Sequence, residues 1–151
     1  MKGQDVAFEV MRRLPDVHWL VVGQCNSPSN ATVIDSIEPA RMPALLRSVD
    51  VLLMPSRYEP FGILGAEALA SGTPVVIGPS GLSEWLAAGA EPYRWSLPSV
   101  EDPGEVTRAV EQAVGDLHGG RTEAMRVRKR IVEELSVEVW ARRFLKIAEA
   151  V

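Results

Sequence analysis

The sequence is poor in the residues that build metal sites and disulfides. Its 151 residues include one cysteine, Cys25, and two histidines, His18 and His118. A single cysteine cannot form an internal disulfide, and the scattered histidines predict neither a zinc site nor a nucleophilic triad. No apolar run approaches the length of a membrane span, and the N-terminus has no signal-peptide pattern. We therefore expect a cytoplasmic protein that needs no metal.

An excess of positive charge is also missing. Sixteen lysines and arginines face twenty acidic residues, which gives a formal net charge of −4 and disfavours nucleic acid as a partner. The basic run at 126–130 has acidic neighbours, so we interpret it as a solvated helix face; a membrane-surface role is the less favoured alternative. A hydrophobic content of 46% and the length of the chain suit one globular domain.

What the sequence does contain is a strand–loop–helix–strand unit in its centre. The short apolar run at 51–54 predicts a buried parallel strand. Helix formers predict a helix over 62–71, which Gly72 and Pro74 bring to an end, and residues 74–77 predict the next strand. Ligands of such sheets bind where strand ends meet helix starts. The loop that precedes Gly62 is therefore the candidate site.

The rest of the chain continues this alternation of strands and helices. We therefore expect an α/β fold, a Rossmann-like parallel sheet with helices on both faces. Further strands are predicted at 18–22, 32–37 and 93–95. Further helices are predicted at 4–14, 42–48, 83–87, 103–115, 122–134 and 137–150.

The predicted start of the central helix has the chemistry of an anion site. Gly62 lets a ligand approach the backbone, and the N–H groups of Gly62, Ile63 and Leu64 would face it. The helix dipole favours a phosphate at this position. Glu59 and Glu67 flank the helix start, and their carboxylates accept hydrogen bonds from sugar hydroxyls. Taken alone, the two acids also fit a helix cap and a solvated side chain.

Residues 55–62, followed by residues 67–76, form the most specific pattern in the chain. They resemble the E-x7-E signature of retaining glycosyltransferases, in which Glu59 and Glu67 are the two acids. The chain is similar to glycosyltransferase family four, which has the two-domain GT-B fold. Shorter segments before and after this pattern also resemble the family, in the same order along the chain: Lys2-Gly3 and residues 19–23, 48–50, 81–84 and 135–140.

This resemblance implies the donor-binding half of a retaining glycosyltransferase. Such an enzyme moves a sugar from a nucleoside diphosphate sugar to an acceptor hydroxyl. No metal or other cofactor is expected. The roles implied by position are a diphosphate contact for Lys2, phosphate binding by the backbone of Gly62, Ile63 and Leu64, ribose binding for Glu67, and binding of the transferred sugar at the catalytic position Glu59.

The chain also departs from the family pattern. The family's first strand and a phosphate-binding arginine are missing ahead of Lys2, and so is the N-terminal acceptor-binding domain. Residues 24–30 read as a loop where the family has a helix. We expect residues 1–151 to form one donor domain that is inactive alone. Its terminal helix, 137–151, would pack toward the acceptor domain.

The missing strand leaves two outcomes for the sheet. The predicted strands at 19–22 and 51–54 either pair directly, or a strand from another chain fills the gap. The second outcome gives self-association or dependence on a partner. The expected partners are a nucleotide sugar and an acceptor-binding domain or separate chain.

Two other functions stay open. A lone donor half also fits a non-catalytic nucleotide-sugar-binding or assembly subunit that acts with a separate acceptor-binding chain. An epimerase of the same GT-B architecture is a further alternative, although the E-x7-E context fits a transferase better. The base, the donor sugar and the acceptor are not determined by the sequence.

Overall fold

A computed structural model describes residues 3–24 and 28–149, except for the side chains of residues 144 and 147–149. Strands and helices are interspersed up to residue 77 and only helices follow in the described part of the chain, an arrangement that confirms the α/β class. A 3-10 turn, Pro39–Arg41, leads into the second helix. The strands are β1 Trp19–Val22, β2 Ala31–Ile34, β3 Leu52–Met54 and β4 Val75–Ile77; the helices are α1 Gln4–Arg13, α2 Met42–Ser48, α3 Ile63–Ala70, α4 Gly81–Ala87, α5 Pro103–Gly115, α6 Leu117–Leu135 and α7 Val137–Glu149.

The strands form two separate parallel pairs. β1 pairs with β2, with Trp19 opposite Ala31, and β3 pairs with β4, with Leu52 opposite Val75. Within the described residues, no strand ladder joins β1 to β3. The direct pairing of these two strands, which was one of the two expected outcomes, does not occur.

The two strand pairs differ in burial. All three residues of β4 are fully buried, whereas Val22 of β1 is 43% exposed and Val33 of β2 is 37% exposed. The main core lies around β4, where small and branched side chains of α3 and α5 pack. β4 and the buried face of α3 are therefore the well-packed part of this region, while β3 is half-buried; together the three elements carry the candidate site.

The strand predicted at 93–95 is wrong. This segment contains a turn, and it touches the sheet through one bridge beside β4: the N–H of Ile77 donates to the carbonyl of Trp95, and the N–H of Leu97 donates to the carbonyl of Ile77. The aromatic side chains hold the segment instead. The Tyr93 hydroxyl accepts a hydrogen bond from the N–H of Val75 at 2.8 Å. Aromatic residues are common in strands, but Tyr93 and Trp95 are present here because they pack in the core.

The sixth helix begins at Leu117, earlier than predicted. Asp116 caps the helix by accepting a hydrogen bond from the N–H of Gly119 at 3.0 Å. Gly120 is buried, and a Cβ there would lie 3.1 Å from the ring of Pro74. The glycine therefore permits close packing of α6 rather than ending it.

No helix in the described part of the chain is long and apolar enough to cross a membrane.

Candidate functional site

The candidate site is built on the loop at residues 55–62, called the site loop below, and on the start of α3. Gly62 precedes the helix with φ 100° and ψ 53°, in the left-handed region. A Cβ at Gly62 would meet only ordinary contacts, the nearest at 3.6 Å from Leu82 and Met54. The requirement for glycine at this position is therefore one of backbone conformation and not of space.

The start of α3 has no cap. The first described hydrogen bond in this turn runs from the N–H of Ala66 to the carbonyl of Gly62 at 3.1 Å. No side chain caps the helix, and no residue in the described part of the chain accepts a hydrogen bond from the N–H of Ile63 or Leu64. Ile63 is 68% exposed and Leu64 37%, so the start of α3 lies at the surface of the domain. An anion at the helix start would satisfy them and would be favoured by the helix dipole.

The neighbouring helix α4 supports the end of the site loop. The N–H of Gly81 donates to the carbonyl of Pro60 at 3.2 Å, and the N–H of Leu82 donates to the carbonyl of Phe61 at 2.7 Å. These bonds fix the part of the loop that leads into Gly62. They also occupy donors of α4 that would otherwise be free.

The two predicted acids lie on either side of the α3 start. Glu59 is half-buried in the site loop, and its Cγ lies 3.7 Å from the Cβ position of Gly62. Glu67 is exposed on α3, roughly one and a half helical turns beyond Gly62. The structure thus brings Glu59, Glu67 and the backbone of Gly62, Ile63 and Leu64 together on one loop–helix element.

Lys2, the predicted diphosphate contact, lies outside the described residues, and so does the single cysteine, Cys25. The neighbour of Lys2, Gly3, is buried with φ 70°, and a Cβ at Gly3 would overlap the carbonyl oxygen of Pro55. The chain at residue 3 therefore lies against the beginning of the site loop. The fold requires glycine at position 3 for close approach as well as for backbone conformation.

Sequence reasoning missed Arg57 in the site loop. Its guanidinium donates to the carboxylate of Asp5 at 2.7 and 2.6 Å and to that of Glu101 at 3.0 and 3.2 Å. The only signal for it is its place within the signature at residues 55–62. Its partners are 52 and 44 residues away in the chain, so the sequence alone does not indicate them.

Within residues 3–24 and 28–149, no three or more His, Cys, Asp or Glu side chains come together in a way that could hold a metal ion. The expectation of a metal-independent site concerns the whole protein with its ligand, and it stays a prediction.

Residues 33–144 match the family model described as "Family 4 Glycosyltransferase in conflict systems". This chain belongs to that family. It is 32% identical over 153 aligned residues to D-inositol 3-phosphate glycosyltransferase of Segniliparus rotundus, and the match covers 80% of this chain and 34% of that protein. The predicted membership of glycosyltransferase family four is confirmed. The chain spans about a third of the length of this curated relative.

Solved structures share the fold of this chain. Sucrose-phosphate synthase from Thermosynechococcus elongatus superposes with a TM-score of 0.85 at 22% identity, over 99% of this chain and 42% of that one. HepE from Anabaena, in complex with UDP and glucose, gives a TM-score of 0.84 at 16% identity, over 99% of this chain and 45% of that one. These neighbours confirm the expected GT-B type of architecture, of which this chain corresponds to less than half.

Proposed function

We propose that this chain is the donor-binding half of a retaining glycosyltransferase and that the start of α3 holds the diphosphate of a nucleoside diphosphate sugar. The observation that carries the proposal is the uncapped helix start at Gly62, in a chain of a glycosyltransferase family. Structures of HepE with UDP and glucose and with UDP-glucose support a donor of this class.

The proposed roles follow the chemistry of the leaving group. Charge develops on the distal phosphate as the bond to the sugar breaks, and preorganised N–H donors lower the barrier by stabilising it. The backbone of Gly62, Ile63 and Leu64 supplies these donors together with the helix dipole. Lys2 would add a positive charge to the diphosphate.

The carboxylates would bind the two sugars of the donor. Glu67 lies on α3 beyond the phosphate position and would accept hydrogen bonds from the ribose hydroxyls. Glu59 lies in the site loop and would accept them from the transferred sugar. Neither role requires a metal, and we propose that the donor site works without one.

The proposed donor role covers only one side of the transfer reaction. The chain corresponds to about a third of a related glycosyltransferase, and transfer needs donor and acceptor held together in one closed cleft. We therefore propose that the 151 residues alone bind the donor without transferring its sugar. The same coverage is compatible with the alternative of a subunit that acts with a separate acceptor-binding chain.

Isothermal titration calorimetry tests the donor site. Wild-type protein should bind uridine or guanosine diphosphate, or their sugars. Glu67→Ala should weaken that binding by about 1.5–3 kcal/mol, since it removes hydrogen bonds to a charged group. Glu111→Ala, which removes an exposed acid on α5, is the matched control and should bind like the wild type. Equal affinity in Glu67→Ala and wild type would contradict the ribose role, and a wild-type protein that binds none of these nucleotides would contradict the donor site itself.

A further inference from the structure

One guanidinium connects the site loop to two distant parts of the chain. Asp5 lies in the first turn of α1, and Glu101 lies in the turn before α5. Arg57 donates to both carboxylates: its Nη1 and Nη2 reach Asp5 at 2.7 and 2.6 Å, and its Nε reaches the two oxygens of Glu101 at 3.0 and 3.2 Å. These three side chains are called the Arg57 clasp below.

The Arg57 clasp differs from the ordinary ion pairs on the surface of this protein. The Arg57 side chain is only 23% exposed, although its two partners are 68% and 69% exposed. By contrast, Arg94 and Asp116 form a single contact in which both side chains are about half exposed. Isolated surface pairs contribute little to stability, whereas a forked guanidinium on two carboxylates fixes a geometry.

Charge argues against a direct role for Arg57 in phosphate binding. Each of its three nitrogens already donates to a carboxylate, and two negative charges outweigh its one positive charge. The hydrogen bonds from Arg57 lower the pKa of Asp5 to about 2, so Asp5 stays ionised at neutral pH. The two carboxylates in turn raise the pKa of Arg57. The guanidinium of Arg57 is therefore engaged on all three nitrogens by carboxylates and is not a free cation that awaits an anion.

The position of the clasp within the site loop shows what it orders. The beginning of the loop is packed against Gly3, and its end is held by the hydrogen bonds from α4 to Pro60 and Phe61. Between these supports lie Arg57, the exposed Tyr58, and Glu59. The clasp is thus attached to the loop two residues from Glu59, while the phosphate donors at the α3 start have a separate support.

We propose that Arg57 is a positioning residue for the donor sugar: through Asp5 and Glu101 it holds the middle of the site loop so that Glu59 meets the transferred sugar. This inference rests on the proposed donor function. It goes further in dividing the site into two parts with separate supports. The sugar end depends on the Arg57 clasp, and the phosphate end depends on the α3 start and α4.

Calorimetry with two pairs of probes separates these parts. The probes are UDP with UDP-glucose and GDP with GDP-mannose, and the analysis uses whichever pair the wild type binds. Arg57→Lys should lower affinity for the nucleotide sugar by about fivefold or more, while affinity for the nucleotide changes little. A fivefold change is at the low end of the coupling energies usually measured between two sites in a protein. A lysine keeps the charge but lacks the fork that engages two carboxylates.

Two further variants distinguish a positioning role from general loss of folding. Asp5→Asn removes one exposed partner of Arg57 and should also weaken binding of the nucleotide sugar more than binding of the nucleotide. Combined with Arg57→Lys, its effect should be less than additive, because both changes break the same contact. Arg94→Lys, in the unrelated pair with Asp116, is the matched control and should leave the ratio unchanged. If Arg57→Lys weakens nucleotide and nucleotide sugar equally, or weakens neither, the positioning role is overturned. If the wild type binds neither pair, the donor function itself fails.

Discussion

The two helices that start beside the site loop, α3 and α4, differ in how their first N–H groups are used. α3 follows Gly62 and has no side-chain cap. α4 follows Ser80, whose side chain forms a capping box with Ser83, and its next two N–H groups donate to carbonyls of the site loop. The first N–H groups of α3 have no acceptor among the described residues, whereas those of α4 donate to the site loop and to Ser80.

This difference indicates separate tasks for two neighbouring helix starts. Unsatisfied backbone donors cost free energy when they are buried, so a protein normally caps or hydrates them. The exposed donors of α3 are available to a ligand, whereas those of α4 hold the loop that presents α3. We therefore expect changes at α4 to act mainly on stability and changes at the α3 start to act mainly on binding.

Among changes at the start of α4, the largest effect on stability is expected from Gly81→Ala. A Cβ at Gly81 would lie 2.5 Å from the carbonyl oxygen of Pro60, which is backbone and must shift to make room. We expect a loss of about 1–3 kcal/mol in the free energy of unfolding, the usual cost of overpacking. Urea denaturation measures it. Gly115→Ala, at a site with nothing within 4 Å of the added Cβ, is the control and should be neutral or stabilising by up to about 1 kcal/mol. Equal stability of the two variants would contradict the structural role of α4.

A smaller effect is expected from Ser80→Ala. Ser80 Oγ accepts a hydrogen bond from the N–H of Ser83 at 3.1 Å, and both side chains are buried. Loss of this cap should cost about 0.5–2 kcal/mol, seen as a lower thermal midpoint. Ser48→Ala removes an exposed hydroxyl from the end of α2 and should change stability by no more than about 0.5 kcal/mol. A Ser48 variant that melts as low as the Ser80 variant would show that the cap has no special weight.

Local sequence signals predicted most of the elements. The bounds of α2 and α5 are as predicted. Pro43 and Pro103 mark the starts of these helices, and residues close by in the sequence determine where they end. The Gly62 helix start was also predictable, since a glycine before a run of helix formers is a local pattern. The segment at 93–95 was not, because its aromatic side chains serve contacts with β4 that lie far away in the sequence.

The contacts that hold the site loop were not predictable either, because they join residues that are far apart in the sequence. Arg57 stands within the signature, but its partners come from α1 and from the turn before α5. The separation of the strands into two pairs likewise depends on tertiary packing and not on any one strand. Sequence reasoning therefore located the loop–helix element of the candidate site, missed the Arg57 clasp that holds its loop, and leaves the ligand contacts of that element as a prediction.

The most direct test follows the backbone amides of both helix starts during a titration. In ¹⁵N–¹H correlation spectra, UDP, or GDP if UDP does not bind, should shift the amide signals of Ile63 and Leu64 strongly. The signals of Leu82 and Ser83 should move much less, since their N–H groups already have acceptors within the protein. This result would support a phosphate at the open start of α3. A nucleotide that shifts the α4 signals as much as those of α3, or that leaves Ile63 and Leu64 unchanged, would contradict the donor site proposed here.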